Sequence, residues 1–401
     1  MSGAPHRPGF LDDPALRAVL AALPRARLVG GSVRDALAGR TVADIDLATP
    51  DPPEAVMAAL ARAGLRAVPT GLAHGTVTAV SGGRGFEITT LRRDEDTDGR
   101  HARVAWTDDW REDAARRDFT INAMSMEPDG TLHDYFGGAA DLAAGRVRFV
   151  GDPATRIAED YLRILRFFRF HARYGRGAPD PDALAAIAAG VPGLARLSAE
   201  RVWSELKRIL AAPAPDEAVA LMARLGVLAA VLPEGADPAR LARLIAADAP
   251  ADPLLRLATL ASGKTEALAT RLRLSTAERT RLAALRAGAA PHPGLDAADL
   301  RRALAAESAE VLIGQTWLAG GTGPDWDALR ARLAATPSPV FPLEGRDALA
   351  LGFTPGPEVG RALRAVRAWW LAGGCVADAG ACRDMLGKQK GQGSALDPLG
   401  P

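Results

Sequence analysis

Residues 28–50 read LVGGSVRDALAGRTVADIDLATP, and the order of residue types in this stretch decides the fold class. An apolar run enters the turn Gly30-Gly31-Ser32, a short helical pattern follows, and Asp44-Ile45-Asp46 comes next. Glycines at a strand-to-helix turn let backbone N–H groups approach a triphosphate, and the helix N-terminus adds positive potential. Ser32 adds a hydroxyl. On a strand, Asp44 and Asp46 share one face while Ile45 and Leu47 take the other. Adjacent carboxylates repel and are poor strand formers, so a bound cation is the natural physical explanation of the pair. Hard oxygen ligands select Mg²⁺, which activates a hydroxyl and steadies a pyrophosphate leaving group. Arg34 and Asp35, at the helix start, either pair with each other or orient the phosphates and the aspartates.

Outward from this stretch, the short β-like runs ARLVGG, ADIDLAT, HGTVTAV, FEITTLR and RVRFV fill residues 25–150 between glycines. They indicate a mixed sheet with helices. From about Pro153 the chain changes to Ala/Leu/Arg stretches with a three-to-four-residue period, which indicates helices to the end. The expected class is therefore an α/β N-terminal head followed by an all-α neck, body and tail. Pro/Gly-rich breaks at 211–216, 248–253, 320–325 and 336–342 divide the rest. The expected segments are a lead-in (1–24), head (25–150), neck (151–215), body (216–335), tail (336–387) and a disordered end (388–401).

Composition excludes several classes. The chain has 401 residues, enough for several structural units. No apolar run reaches the roughly 18 residues of a membrane span, and MSGAPHRPG lacks the apolar stretch of a secretory signal. A cytoplasmic protein with no membrane contact and no obligate protein partner is expected. Cys375 and Cys382 have no histidine after His292 to complete a zinc site. The net charge is only +1, yet the 49 basic residues include just four lysines. Planar guanidinium groups suit phosphate and base recognition, and a GC-rich genome gives the same bias.

Further motifs follow in order: ARRDFTINAMS (115–125), DYFGGAADLAAGRVRFVGDP (134–153), RIAEDYLRILRFFRF (156–170) and ERVWSELKRIL (200–210). On a helical wheel, residues 156–173 form one amphipathic helix with its arginines opposite the apolar face. Between 156 and 176 six arginines face two acids, an excess of four positive charges that suits a polyanion. Arg116 and Arg117 bracket the start of an expected helix, with Asp118 as its N-cap and Asn122 on the same face. Glu87 lies in a strand-like run and is either a surface charge or a third carboxylate near the metal. Arg201 and Glu205, four apart, read as a helix brace. Residues 92–109 are polar and broken by Gly99, as a mobile loop would be.

With these motifs, the sequence resembles the class II tRNA nucleotidyltransferase and bacterial poly(A) polymerase family. The resemblance covers nearly all of residues 25–210. It implies that Asp44 and Asp46 are catalytic metal ligands, with Glu87 nearby, and that Gly30, Gly31, Ser32, Arg34 and Arg117 hold the triphosphate. It also implies that Asp118 and Asn122 belong to the nucleotide pocket and that Asp160, Arg163 and Arg166 read the base. Cytosine and adenine each offer an amine beside an unprotonated ring nitrogen, which an Asp/Arg pair accepts. Uracil and guanine would leave polar groups unpaired.

Within the family, residues 70–80 read TGLAHGTVTAV where poly(A) polymerases carry a basic, aromatic GRRF-like signature, and 341–370 resemble the tail motif of bacterial CCA-adding members. DPLLRLATLASGK (252–264) stands where a phosphohydrolase would show His-Asp. The implied activity is addition of C, C and A to tRNA 3′ ends from CTP and ATP with Mg²⁺. The alternatives are poly(A) synthesis, a CC- or A-only enzyme, and an inactive tRNA-binding protein.

Overall fold

The structure, a computed structural model, describes residues 8–42, 44–97 and 102–393. It gathers into two compact units, residues 1–238 and 239–401.

The first unit is built on a seven-stranded mixed sheet. Its strands are β1 (Arg27–Val29), β2 (Asp46–Thr49), β3 (Arg66–Gly71), β4 (Thr76–Ser81), β5 (Arg84–Thr90), β8 (Met124–Met126) and β9 (Leu132–Asp134). Their order is β3-β4-β5-β2-β1-β8-β9, and β2 pairs with β5 in parallel while the other neighbours are antiparallel. Strict alternation explains β5. Phe86, Ile88 and Thr90 are buried and Glu87 points the other way. Strands β6 (Arg92–Thr97) and β7 (Ala102–Trp106) form a separate antiparallel hairpin. The loop expected over 92–109 is thus largely a hairpin, with Arg92 paired to Trp106 at one end and Thr97 to Ala102 at the other; residues 98–101 lie outside the described residues.

Helices α1 (Pro14–Ala22), α2 (Gly31–Leu37), α3 (Pro53–Arg62), α4 (Trp110–Ala115) and α5 (Gly138–Ala144) complete the sheet region. α6 (Pro153–Glu159), α7 (Leu162–Tyr174), α8 (Pro181–Gly190), α9 (Ala199–Leu210), α10 (Asp216–Arg224) and α11 (Val227–Val231) follow. Asp13 caps α1 by accepting from the Ala15 and Leu16 amides, and Pro14 sits in its first turn, where no N–H is needed. The helical region is joined to the sheet region by an aromatic cluster. Phe119 and Phe149, paired across a β-bridge, have ring centroids 4.8 Å apart, and Phe167 of α7 lies 6.3 and 6.1 Å from them.

The one continuous helix expected from 156 is in fact two, α6 and α7. Asp160 is extended (φ −153°, ψ 107°), and its carboxylate accepts the Leu162 amide at 3.0 Å. Asp competes for backbone donors in this way, and here it stops one helix and starts the next. Asp118 likewise caps no α-helix. Residues 118–120 run extended beside 148–150, and only a 3₁₀ turn (Thr120–Asn122) follows.

The second unit is helical, from α12 (Pro238–Ala246) to α21 (Ala379–Gly393). Its apolar clusters include one around Leu300, Leu312 and Leu333 and one around Val366, Trp370 and Leu386. Both cysteines are buried in the latter. The end expected to be disordered is helical as far as Gly393, and residues 394–401 lie outside the described residues. Among the described residues no helix is long and apolar enough to cross a membrane.

Candidate active site

Gly30 adopts φ 65° and ψ −121°, a conformation that a side chain makes costly. An added Cβ would also come within 3.1 Å of an Arg117 guanidinium nitrogen. The turn therefore brings backbone and guanidinium close together at the start of α2. Ser32 does not face this space. It is buried, and its hydroxyl donates to the Val29 carbonyl at 3.0 Å, tying helix to strand.

The carboxylates form one wall. Strand β2 begins at Asp46, with Asp44 just before it, so the pair straddles the strand end instead of sharing a strand. Asp46 lies opposite Glu87 in the parallel β2–β5 register. Glu87 is therefore on a strand interior to the sheet, and a pocket of about 550 Å³ is lined by Asp44, Asp46 and Glu87 together with Arg84. Partial burial raises the Asp46 pKa, and the charges of Glu87 and then Asp44 raise it further; Arg117 opposes them. Arg84 is engaged by Asp13. Among the described residues no group of three His, Cys, Asp or Glu side chains converges as a metal cage. Mg²⁺ seldom needs one, since it is typically held by one or two carboxylates with substrate phosphates and water. The crowded negative charge on Asp46 fits such a cation.

A second pocket, about 480 Å³, shares Asp46. It is lined by Gly30, Gly31, Arg34, Arg117, Asp118, Asn122, Asp160, Arg163 and Arg166. Sequence motifs up to 171 residues apart, from Gly30 to Arg201, thus meet in one cavity. Leu162, Arg169 and Phe170, which also line this pocket, were not singled out, and Arg201, read as a helix brace, lines it as well. The lining carries six guanidinium groups (Arg34, Arg117, Arg163, Arg166, Arg169, Arg201) and three carboxylates (Asp46, Asp118, Asp160), a surplus suited to a triphosphate.

Each arginine is held from behind. Arg34 donates to the Asn122 side-chain oxygen at 2.6 Å and to Asp35 at 3.1 Å, and stacks 5.1 Å from the Phe170 ring centroid. Arg117 donates to the Asn122 carbonyl and to Asp113, both at 3.3 Å. Arg166 donates to Asp118 at 2.6 Å. Burial would raise the Asp118 pKa, but the Arg166 charge and hydrogen bonds from Asn122, Arg166 and the Phe119 amide hold it below the usual range. Asp118 is thus a buried ionic anchor. Arg163 is engaged by Glu159 and donates to the Arg156 carbonyl at 2.7 Å.

Arg201 does not brace Glu205. It reaches Asp160 across 2.7 Å, while Glu205, almost fully buried, takes Arg169 at 3.1 Å and Arg208 at 3.3 Å. Burial, with the nearby Arg166 charge, brings the Arg169 pKa down to about 10, against the attraction of Glu205. Arg169 stays charged at neutral pH.

This arrangement suits binding a nucleoside triphosphate with its phosphates toward the carboxylate wall. Residues 26–148 match the poly A polymerase head domain, and residues 178–237 match the probable RNA- and SrmB-binding site of polymerase A. The chain is 38% identical over 368 residues to the mitochondrial CCA tRNA nucleotidyltransferase 1 of Danio rerio, covering 86% of this chain and 83% of that protein. It is 52% identical over 187 residues to the human protein of that name, covering 46% of this chain and 43% of that one. The crystal structure of the Bacillus stearothermophilus CCA-adding enzyme with CTP superposes with a TM-score of 0.72 at 26% identity, over 96% of this chain and all of that chain. By its head, its two-pocket site and these likenesses, the chain belongs to the CCA tRNA nucleotidyltransferase family.

Proposed function

We propose that this protein adds C, C and A to the 3′ end of tRNA from CTP and ATP without a nucleic-acid template, releasing pyrophosphate. The observation that carries this reading is Asp46, which lines both the carboxylate pocket and the arginine-rich pocket that contains Asp160 and Arg163. Chemistry and base selection are thereby adjacent.

Members of this family use a divalent metal ion, and Mg²⁺ held by Asp44 and Asp46 is our assignment, with Glu87 beside it. Such an ion lowers the charge barrier between a 3′-hydroxyl and the α-phosphate. Arg117, Arg34 and the Gly30–Gly31 amides bind and orient the phosphates. Asp160 retains lone pairs beyond those taken by Arg201 and Leu162, and these accept the exocyclic amine of cytosine or adenine. Arg163 and Arg166 donate to the base edge. We assign the head (25–150) to chemistry, the neck (151–215) to base selection, and the body and tail (216–387) to the rest of the tRNA. The cytoplasm is the proposed site of action.

The test is incubation of the protein with Mg²⁺ and tRNA ending at its discriminator base, with CTP, ATP or both, resolved at single nucleotides. Addition that stops after C, C and A is expected. Long A tracts, two C residues only, or no extension would each refute this reading in favour of poly(A) synthesis, a CC-adding enzyme or a binding protein.

A further inference from the structure

The first unit holds a second arginine-lined pocket away from the carboxylates. It has a volume of about 470 Å³ and lies where α2, α5 and α7 end, lined by Arg40, Arg173, Arg176 and Tyr174 with leucine and alanine side chains between. No acidic side chain lines it. All three arginines are exposed, and among the described residues none of them forms a salt bridge.

Two of the three have structural work. Arg40 donates to the Arg173 carbonyl at 2.8 Å, and Arg176 donates to the Ala143 carbonyl at 2.7 Å, satisfying helix ends. Each keeps donors on its fork free of those bonds. Arg173 makes neither a carbonyl bond nor an ion pair; its recorded contact is with the Tyr174 ring, 5.9 Å from the centroid. Cations are favoured beside helix C-termini, and Arg40 and Arg176 meet that need at the ends of α7 and α5, which leaves the Arg173 guanidinium beyond it.

The place is also informative. Helix α2 runs from the nucleotide pocket at Gly31 to this pocket at Leu37, a rise of about 10 Å at 1.5 Å per residue. The Tyr174 ring already carries Arg34 at 4.7 Å and Arg40 at 4.9 Å, so it is occupied by guanidinium groups instead of being open to a base. A site rich in positive charge, lined by exposed arginines, without a base platform and one short helix away from the nucleotide pocket fits a backbone phosphate.

We propose that the Arg40/Arg173/Arg176 pocket binds a phosphate of the RNA strand whose 3′ end is extended, an inference that rests on the tRNA reading above. It is tested with the full-length protein and a tRNA lacking its CCA end, by fluorescence anisotropy from low to moderate salt. Arg173→Gln removes the guanidinium that serves no structural bond, and its thermal midpoint and CTP affinity without RNA report on the fold. The expected result is roughly three- to tenfold weaker tRNA binding, with a log–log salt slope shallower by about 0.7–0.9, the share of one phosphate contact. Wild-type affinity and slope in Arg173→Gln would overturn the pocket while leaving the tRNA reading intact. Failure of the wild-type protein to bind tRNA would refute the reading itself. Inorganic phosphate, titrated by calorimetry, separates a free-ion site: binding lost in Arg173→Gln with tRNA affinity unchanged would contradict an RNA source.

Discussion

Asp46 is the residue at which the two pockets meet. Its pKa is raised by partial burial and by the Glu87 and Asp44 charges. A raised folded-state pKa contributes stability below the unfolded value, and that contribution is lost as pH rises through the folded pKa. At neutral pH the metal-free protein therefore pays for an ionised Asp46, and Mg²⁺ should raise its thermal midpoint by calorimetry. Asp46→Asn should raise the metal-free midpoint, remove the Mg²⁺ increment and abolish extension; an unchanged increment would argue against Asp46 as a ligand. Asp118 has the opposite sign. Its lowered pKa gives stability above about pH 4 that is lost as pH falls through the folded value. Asp118→Asn leaves Arg166 without its closest anion and should cost about 3 kcal/mol in denaturant unfolding, with weaker CTP binding. Asp46 was legible because two acids around one Ile need an explanation. The Asp118–Arg166 pair was not, since 48 residues separate its partners and a local motif says nothing about what packs against it.

Among elements, the turn into α2 and the α6–α7 break matter most. Gly30→Ala combines a positive φ with a Cβ 3.1 Å from Arg117. It should cost about 1–3 kcal/mol and weaken CTP binding measured by calorimetry, and wild-type affinity would show that the close approach is dispensable. The glycine turn and the β5 alternation could be read from sequence because both are local patterns. The break at Asp160 was hidden: apolar spacing ran across it, and only the extended backbone with its Leu162 contact shows that Asp160 faces Arg201 of α9. Arg201, read as a brace for Glu205, was misplaced and Arg169 went unassigned for the same reason. Their helical spacing explains them as surface ion pairs, and it takes α7 packed beside α9 to turn them into the pocket.

At the scale of the molecule, a mixed sheet with its helices followed by a helical remainder was legible in the change of periodicity near Pro153, although α6 to α11 belong to the first unit. A net charge of +1 gives no general attraction to a polyanion, and positive charge is instead concentrated locally, as in the six-arginine pocket. Each unit also has its own aromatic anchor. Phe167→Ala should cost about 3–5 kcal/mol and speed hydrogen exchange around Phe119 and Phe149. Trp370, which packs edge-on against Phe341 at 5.6 Å and donates to the Ala377 carbonyl, should on truncation speed exchange within 341–386; exchange altered equally everywhere would contradict separate cores. The central claim is that one protein surface selects C and A, and single-turnover incorporation of all four nucleotides measures it. Wild-type protein should accept C and A, whereas Asp160→Ala and Arg163→Ala should lose about 1–3 kcal/mol of discrimination against U and G, roughly 5- to 150-fold. Unchanged selectivity in both variants would contradict the claim.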